Sequence, residues 1–239
     1  MPKIAEIQGG EGVFTFSGAG LEKLEAPEYT LVTIAIDTSG SVRKFKDELQ
    51  NAIASIQGAC NHSPRADNLL VRLSEFGDGS VKELAGFAPF AELEVPELQP
   101  DGPTPLYDGI YDALVSISGY TDKLYDADYL VNAIVIVITD GMENDSQNAN
   151  AQKIKDKLRD LRNSEALESL RVILIGINQG TDDRLQELVR ILGLDQYVDI
   201  GEADANNLAK MARFVSRSIE AQSQALGSGG PSQEVSLTL

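Results

Sequence analysis

LVTIAID (31–37) is a continuous run rich in β-branched residues, NAIVIVITD (132–140) and LRVILIGIN (170–178) are further strand candidates, and each of the three ends in a polar group. A strand with one wet face alternates apolar and polar residues, so a continuous run requires burial on both faces, the condition of a central strand in a parallel sheet. Between the runs the period changes to that of a helix. In KFKDELQNAIASIQG (44–58), Phe45, Leu49, Ala52, Ile53 and Ile56 fall at helical spacing, and Gly58 predicts the stop. SQNANAQKIKDKLRDLRNS (146–164), TDDRLQELVRILG (181–193) and DANNLAKMARFVSRSIEAQ (204–222) predict further helices, and QYVDIG (196–201) predicts a short strand.

NLLVRLSEFG (68–77) and VKELAGF (81–87), joined by the turn residues DGS, predict a hairpin whose second strand is an antiparallel edge. After the proline-rich loop 91–103, TPLYDGIYDALVSI (104–117) predicts a helix with Thr104 as N-cap and Pro105 in its first position. The expected architecture is α/β: a doubly wound, mostly parallel central sheet with one antiparallel edge strand and helices on both faces, Rossmann-like in plan. Residues 29–222 carry this pattern. Residues 1–28 read as an N-terminal arm or an extra hairpin built on GVFTF (12–16). Residues 223–239 read as a flexible C-terminal tail, whose end, EVSLTL, is either a disordered terminus or a strand that adds to a partner's sheet.

Composition narrows the function. With 37 acidic against 20 basic residues the chain carries a formal charge of -17, which repels phosphate backbones and anionic membrane surfaces, so neither is an expected partner. One cysteine, Cys60, makes no intramolecular disulfide, and with the lone His62 it falls short of a zinc-binding set. The first thirty residues show no secretory leader, and no apolar run approaches the roughly 20 residues of a membrane helix. A cytoplasmic location is expected.

Ligands of open α/β sheets bind beyond the carboxyl ends of the strands. Three loops reach that edge: DTSGS (37–41), DGPTPLYD (101–108) and TDGMENDS (139–146). Taken singly, each has an ordinary explanation as a cap or turn. Together they offer five oxygen side chains, Asp37, Ser39, Ser41, Thr104 and Asp140, with no histidine or cysteine, the donor chemistry of a hard divalent cation such as Mg²⁺ or Mn²⁺, with Ca²⁺ also compatible. Alternate positions of an extended turn point one way, so Asp37, Ser39 and Ser41 would face one ion.

DTSGS, GPTPLYDGI and IVIVITDG resemble, in order and spacing, the Asp-x-Ser-x-Ser, threonine and aspartate loops of the von Willebrand factor A (VWA) family, and the likeness spans about residues 29–222. All five positions of that family's metal-ion-dependent adhesion site have their counterparts here. The resemblance implies that Ser39 and Ser41 bind the cation directly, Thr104 does so in the ligand-bound form, Asp37 and Asp140 act directly or through water, and a protein partner supplies a Glu or Asp carboxylate. It implies further a partner in an intracellular multi-protein or AAA+ ATPase-associated assembly, and a switch that shifts the C-terminal helix, 204–222. Glu143 and Asp145, beside the site, read as tuning partner choice or as an ordinary solvated loop.

Two rival readings belong to other classes. A Mg²⁺-dependent phosphotransferase or phosphatase would need a phosphate-cradling Gly-rich loop or a second Asp two residues after Asp37, and neither is present. A structural scaffold, in which a closed metal site ties the loops together, uses the same five residues. No enzymatic activity is expected, because no general base accompanies the oxygen set and His62 lies in a different loop.

Overall fold

The computed structural model describes residues 5–8, 14–230 and 234–236. In chain order its elements are β1 (Ala5–Gln8), β2 (Thr15–Gly18), β3 (Glu28–Asp37), α1 (Lys46–Asn61), β4 (Leu69–Gly77), β5 (Ser80–Ala88), α2 (Leu106–Tyr125), β6 (Leu130–Thr139), α3 (Ala151–Arg162), β7 (Leu170–Gly176), α4 (Arg184–Leu192), β8 (Gln196–Asp199) and α5 (Ala205–Ser228). The strands form one sheet in the order β1-β2-β5-β4-β3-β6-β7-β8. β3 runs parallel to β4 and β6, and the parallel pairing continues through β7 to β8. Among the described residues, only the β4–β5 and β1–β2 pairs are antiparallel.

Every residue from Tyr29 to Asp37 is buried, the reason that stretch shows no alternation. Val32, Ile34 and Ile36 pack under α1 and α5, whereas Leu31 and Ala35 pack under α2, α3 and α4, so the two-residue period is present but apolar on both sides. Each fully buried Val, Leu or Ile side chain among them contributes roughly 1.5–3 kcal/mol.

Four expectations need correction. β5 is antiparallel to β4 but is not the sheet edge: β2 joins its outer side in parallel at Gly18–Phe87. The approach is close, since a Cβ at Gly86 would collide with Ser17. α1 runs past Gly58 to Asn61, because Cys60 on its last turn is buried and repays the roughly 1 kcal/mol that a helical glycine costs. Thr104 does not cap α2, and Pro105 precedes the helix instead of opening it. Glu143 takes over the capping by accepting from Tyr107 N at 2.7 Å.

The fourth correction is at the carboxyl end. α5 extends through Ser228 and stops on the left-handed Gly229 (φ 64°), so residues 223–228 belong to a helix and not to a tail. Gln222 Nε2 donates to Ala133 O and to Ser169 Oγ, both at 3.0 Å, and Arg65 Nε donates to Ser223 Oγ at 3.1 Å. Farther on, Val235 O accepts from Gln196 Nε2 (3.0 Å) beside β8, and the Val235 side chain rests against the core. The last three residues of EVSLTL lie outside the described residues.

A buried ion network joins the hairpin to the rest. Arg72 on β4, fully enclosed, donates to both Asp112 oxygens on α2 (2.8 and 3.2 Å) and to Glu83 on β5 (2.8 Å). Glu83 in turn accepts from Ser17 N of β2 at 3.0 Å. Burial works against the Arg72 charge, and the carboxylates of Asp112 and Glu83 outweigh it, so the guanidinium stays protonated. Arg72→Met should cost about 3–5 kcal/mol by leaving a buried acid pair unpaired. In urea unfolding, the Arg72→Met/Asp112→Leu double variant should be more stable than the single one.

Candidate metal centre

Strand order reverses between β3, which leads to β4 on one side, and β6, which leads to β7 and β8 on the other. Such a point opens a crevice at the carboxyl ends of the strands. Asp37 ends β3 there, 1% exposed, and Thr139 ends β6 beside it. Asp37 Oδ1 accepts from Ser39 N at 2.8 Å, and Oδ2 accepts from Thr139 Oγ1 at 2.5 Å. Ser39 takes an extended conformation, its Oγ lies 3.1 Å from Ser41 Oγ, and Ser41 Oγ donates to Asp140 Oδ1 at 2.7 Å. Asp37, Ser39, Ser41 and Asp140 are thus joined in one run of hydrogen bonds, through Ser39 N at its first link and through hydroxyls at the next two.

Thr104 arrives from a third loop. Its backbone is held in both directions by Asn144: Thr104 N donates to Asn144 Oδ1 (2.8 Å) and Asn144 N donates to Thr104 O (3.2 Å). The hydroxyl, released from any capping duty, faces Gly141, where a Cβ would stand 3.5 Å from Oγ1. The Thr104 and Asp37 loops are also tied directly, by Gly40 N to Gly102 O (3.0 Å) and Asp101 N to Thr38 O (2.9 Å).

The electrostatics are unbalanced. Burial pushes the Asp37 carboxyl up to about 6, the hydrogen bonds from Thr139 and Ser39 hold it down, and Asp140 adds to the rise. Burial also raises Asp140, opposed by Ser41 and more weakly by Lys44. Neither carboxyl at the mouth of the sheet has an ion-pair partner among the described residues, a deficit that a dication would offset. Among the described residues no group of three or more His, Cys, Asp or Glu is placed to hold a metal. The donor set here is two carboxylates and three hydroxyls, which suits a hard ion that keeps some of its water.

The sequence left Thr139, Asn144 and Asp108 unmarked and gave Glu143 a different role. Thr139, read only as the end of a strand, holds Asp37. Asn144 positions Thr104. Glu143 turns inward, accepting from Tyr107 N, Asp145 N (2.9 Å) and Ser146 N (2.7 Å), so it does not face an incoming ligand. Asp108, 1% exposed, accepts from Gln147 N and Asn148 N at 3.0 Å and from Ala149 N at 2.6 Å, fastening the Asp140 loop to α2. The signal for Asp108 was faint: a carboxylate on the apolar face of a helix.

No family model and no curated protein matches the chain. Solved structures do. The pilus adhesin SpaC from Lactobacillus rhamnosus GG superposes with a TM-score of 0.61 at 11% identity, covering 82% of this chain and 30% of SpaC. The VWA domain of SpRpn10 gives 0.51 at 14% identity, covering 77% of this chain and 93% of that domain. The fold is that of a VWA domain. Proximal thread matrix protein 1 of the mussel byssus has a similar structure, with a TM-score of 0.53 and 17% identity over 84% of this chain and 47% of that one. The chain therefore spans less than a third of SpaC and about half of the mussel protein, and matches the VWA domain of SpRpn10 over nearly its full length.

Asp108→Ala should release the loop from its anchor. Hydrogen exchange at Gln147, Asn148 and Ala149 is expected to accelerate at least about tenfold while β3 and β6 remain protected.

Proposed function

We propose that this chain is a protein-interaction module in which Asp37, Ser39, Ser41, Thr104 and Asp140 hold Mg²⁺ or Mn²⁺, and the cation takes a carboxylate from a protein partner. The observation that carries the reading is the unbroken run of hydrogen bonds from Asp37 to Asp140, with neither acid in an ion pair among the described residues. Bound there, the cation would supply an electrophilic point that attracts and orients an acidic side chain. The VWA fold shared with an adhesin and a byssal matrix protein is compatible with this role.

Two observations favour recognition over the rival classes. A scaffold ion would be needed to tie the loops, yet Gly40–Gly102, Asp101–Thr38 and Asn144–Thr104 already tie them through backbone and amide hydrogen bonds. A hydrolase would need a base, yet His62 follows α1 and bonds to Gly58 O (2.6 Å), a 16-residue helix away from the oxygen set. No helix among the described residues is long and apolar enough to cross a membrane. Placement of the partner in a multi-protein or AAA+ ATPase-associated assembly rests on the family resemblance.

Affinity capture from the native lysate tests the proposal with wild type in Mg²⁺, wild type in EDTA, and Asp37→Ala and Ser41→Ala in Mg²⁺. A partner retained only by wild type in Mg²⁺ is the expected result. Retention of that partner in EDTA would refute the metal bridge.

A further inference from the structure

Next to the oxygen set, an open groove of about 730 Å³ runs from Ser41 and Asp140 to the amino end of α5. Its far wall is rigidly built. Asn178 N donates to Gly201 O and Ala203 N donates to Asn178 Oδ1, both at 2.8 Å, while Gln179 Nε2 donates to Asp140 O at 3.0 Å. Asn178 and Gly201 sit in left-handed conformations (φ 58° and 74°), which lets these two turns meet back to back. Buried Phe45 and half-buried Ala203 give the groove an apolar surface.

The charges around it are unevenly committed. Asp140 belongs to the oxygen set, and Lys44 on the near wall forms no ion pair among the described residues. Asp204 is occupied as the cap of α5, accepting from Asn207 N at 2.8 Å. Glu202 is exposed, and its carboxylate has no hydrogen bond or ion pair among the described residues. A partly apolar surface leading to an unpaired carboxylate matches an amphipathic cation, whose methylene stem covers apolar surface while its head pairs with the acid.

We infer that this groove receives a Lys or Arg side chain of the partner, set close to the acidic residue that reaches the metal, with Glu202 as its counter-charge. The inference rests on the metal-bridged reading above and adds the partner's chemistry: an acidic residue with a basic neighbour. A second acidic residue, attracted by Lys44, is the competing occupant. The net charge of -17 and a lining of three acids, Asp140, Glu202 and Asp204, against the single base Lys44 favour the basic one.

Three capped peptides decide it, Gly-Glu-Gly-Arg-Gly and its counterparts with Ala or Glu in place of Arg, titrated into the full-length, isotope-labelled chain in saturating Mg²⁺ and in EDTA, with binding read from NMR shifts. The Arg peptide should bind about threefold or more tightly than the Ala peptide, as expected for an exposed ion pair. Glu202→Gln should remove that margin without changing the affinity of the Ala peptide. If all three bind equally and only with Mg²⁺, the metal bridge stands and this inference falls. Tightest binding by the Glu peptide overturns it as well. If no peptide binds in Mg²⁺, both readings fall.

Discussion

Asp37 is a carboxylate delivered by a strand that is buried on both faces, and the structure around it answers that burial with neutral donors alone. Ser39 N and Thr139 Oγ1 hold its two oxygens, and Asp140 stands close enough to raise its pKa further. Burying a charge without a partner is among the costliest things a fold can do, which makes an uncompensated acid pair at a strand end a strong pointer to a ligand of opposite sign. The serine, threonine and aspartate loops converge because the sheet's order reverses between β3 and β6, so the position of the site is a consequence of topology.

The loops are prepared before any cation arrives. Asn144 grips Thr104, Asp108 and Glu143 fix the Asp140 loop against α2, and Gly40 and Asp101 join the Asp37 and Thr104 loops. Donors held in place this way lose little freedom on binding, so more of the interaction energy appears as affinity. On the opposite flank the Arg72, Asp112, Glu83 and Ser17 network does a different job, joining the amino-terminal hairpin to the sheet through charges that are costly to separate.

The central strands were legible because LVTIAID, AIVIVIT and LRVILIG are apolar at most positions with no strict alternation, a pattern that burial on both faces explains directly. The five oxygens were legible because they are polar residues in loops at the strand ends. What sequence did not disclose was partnership. Thr104 followed by Pro105 has the local chemistry of a helix start, but a carboxylate some forty residues away, Glu143, wins that position and leaves the threonine hydroxyl free. Gly58 has the chemistry of a stop, but burial of Cys60 carries the helix through it. Arg72 resembles any polar residue in an edge hairpin until Asp112 and the β2 strand enclose it. Each misreading came from a local preference overruled by a contact distant in sequence.

The most direct test of a carboxylate-seeking dication site is a Mn²⁺ titration of the purified chain, with free ion followed by its electron paramagnetic resonance signal. The account predicts one Mn²⁺ site per chain, competed by Mg²⁺ and lost in Asp37→Ala and Ser41→Ala variants whose β3 amides keep their protection. Absence of binding, or binding that survives both substitutions, would contradict it.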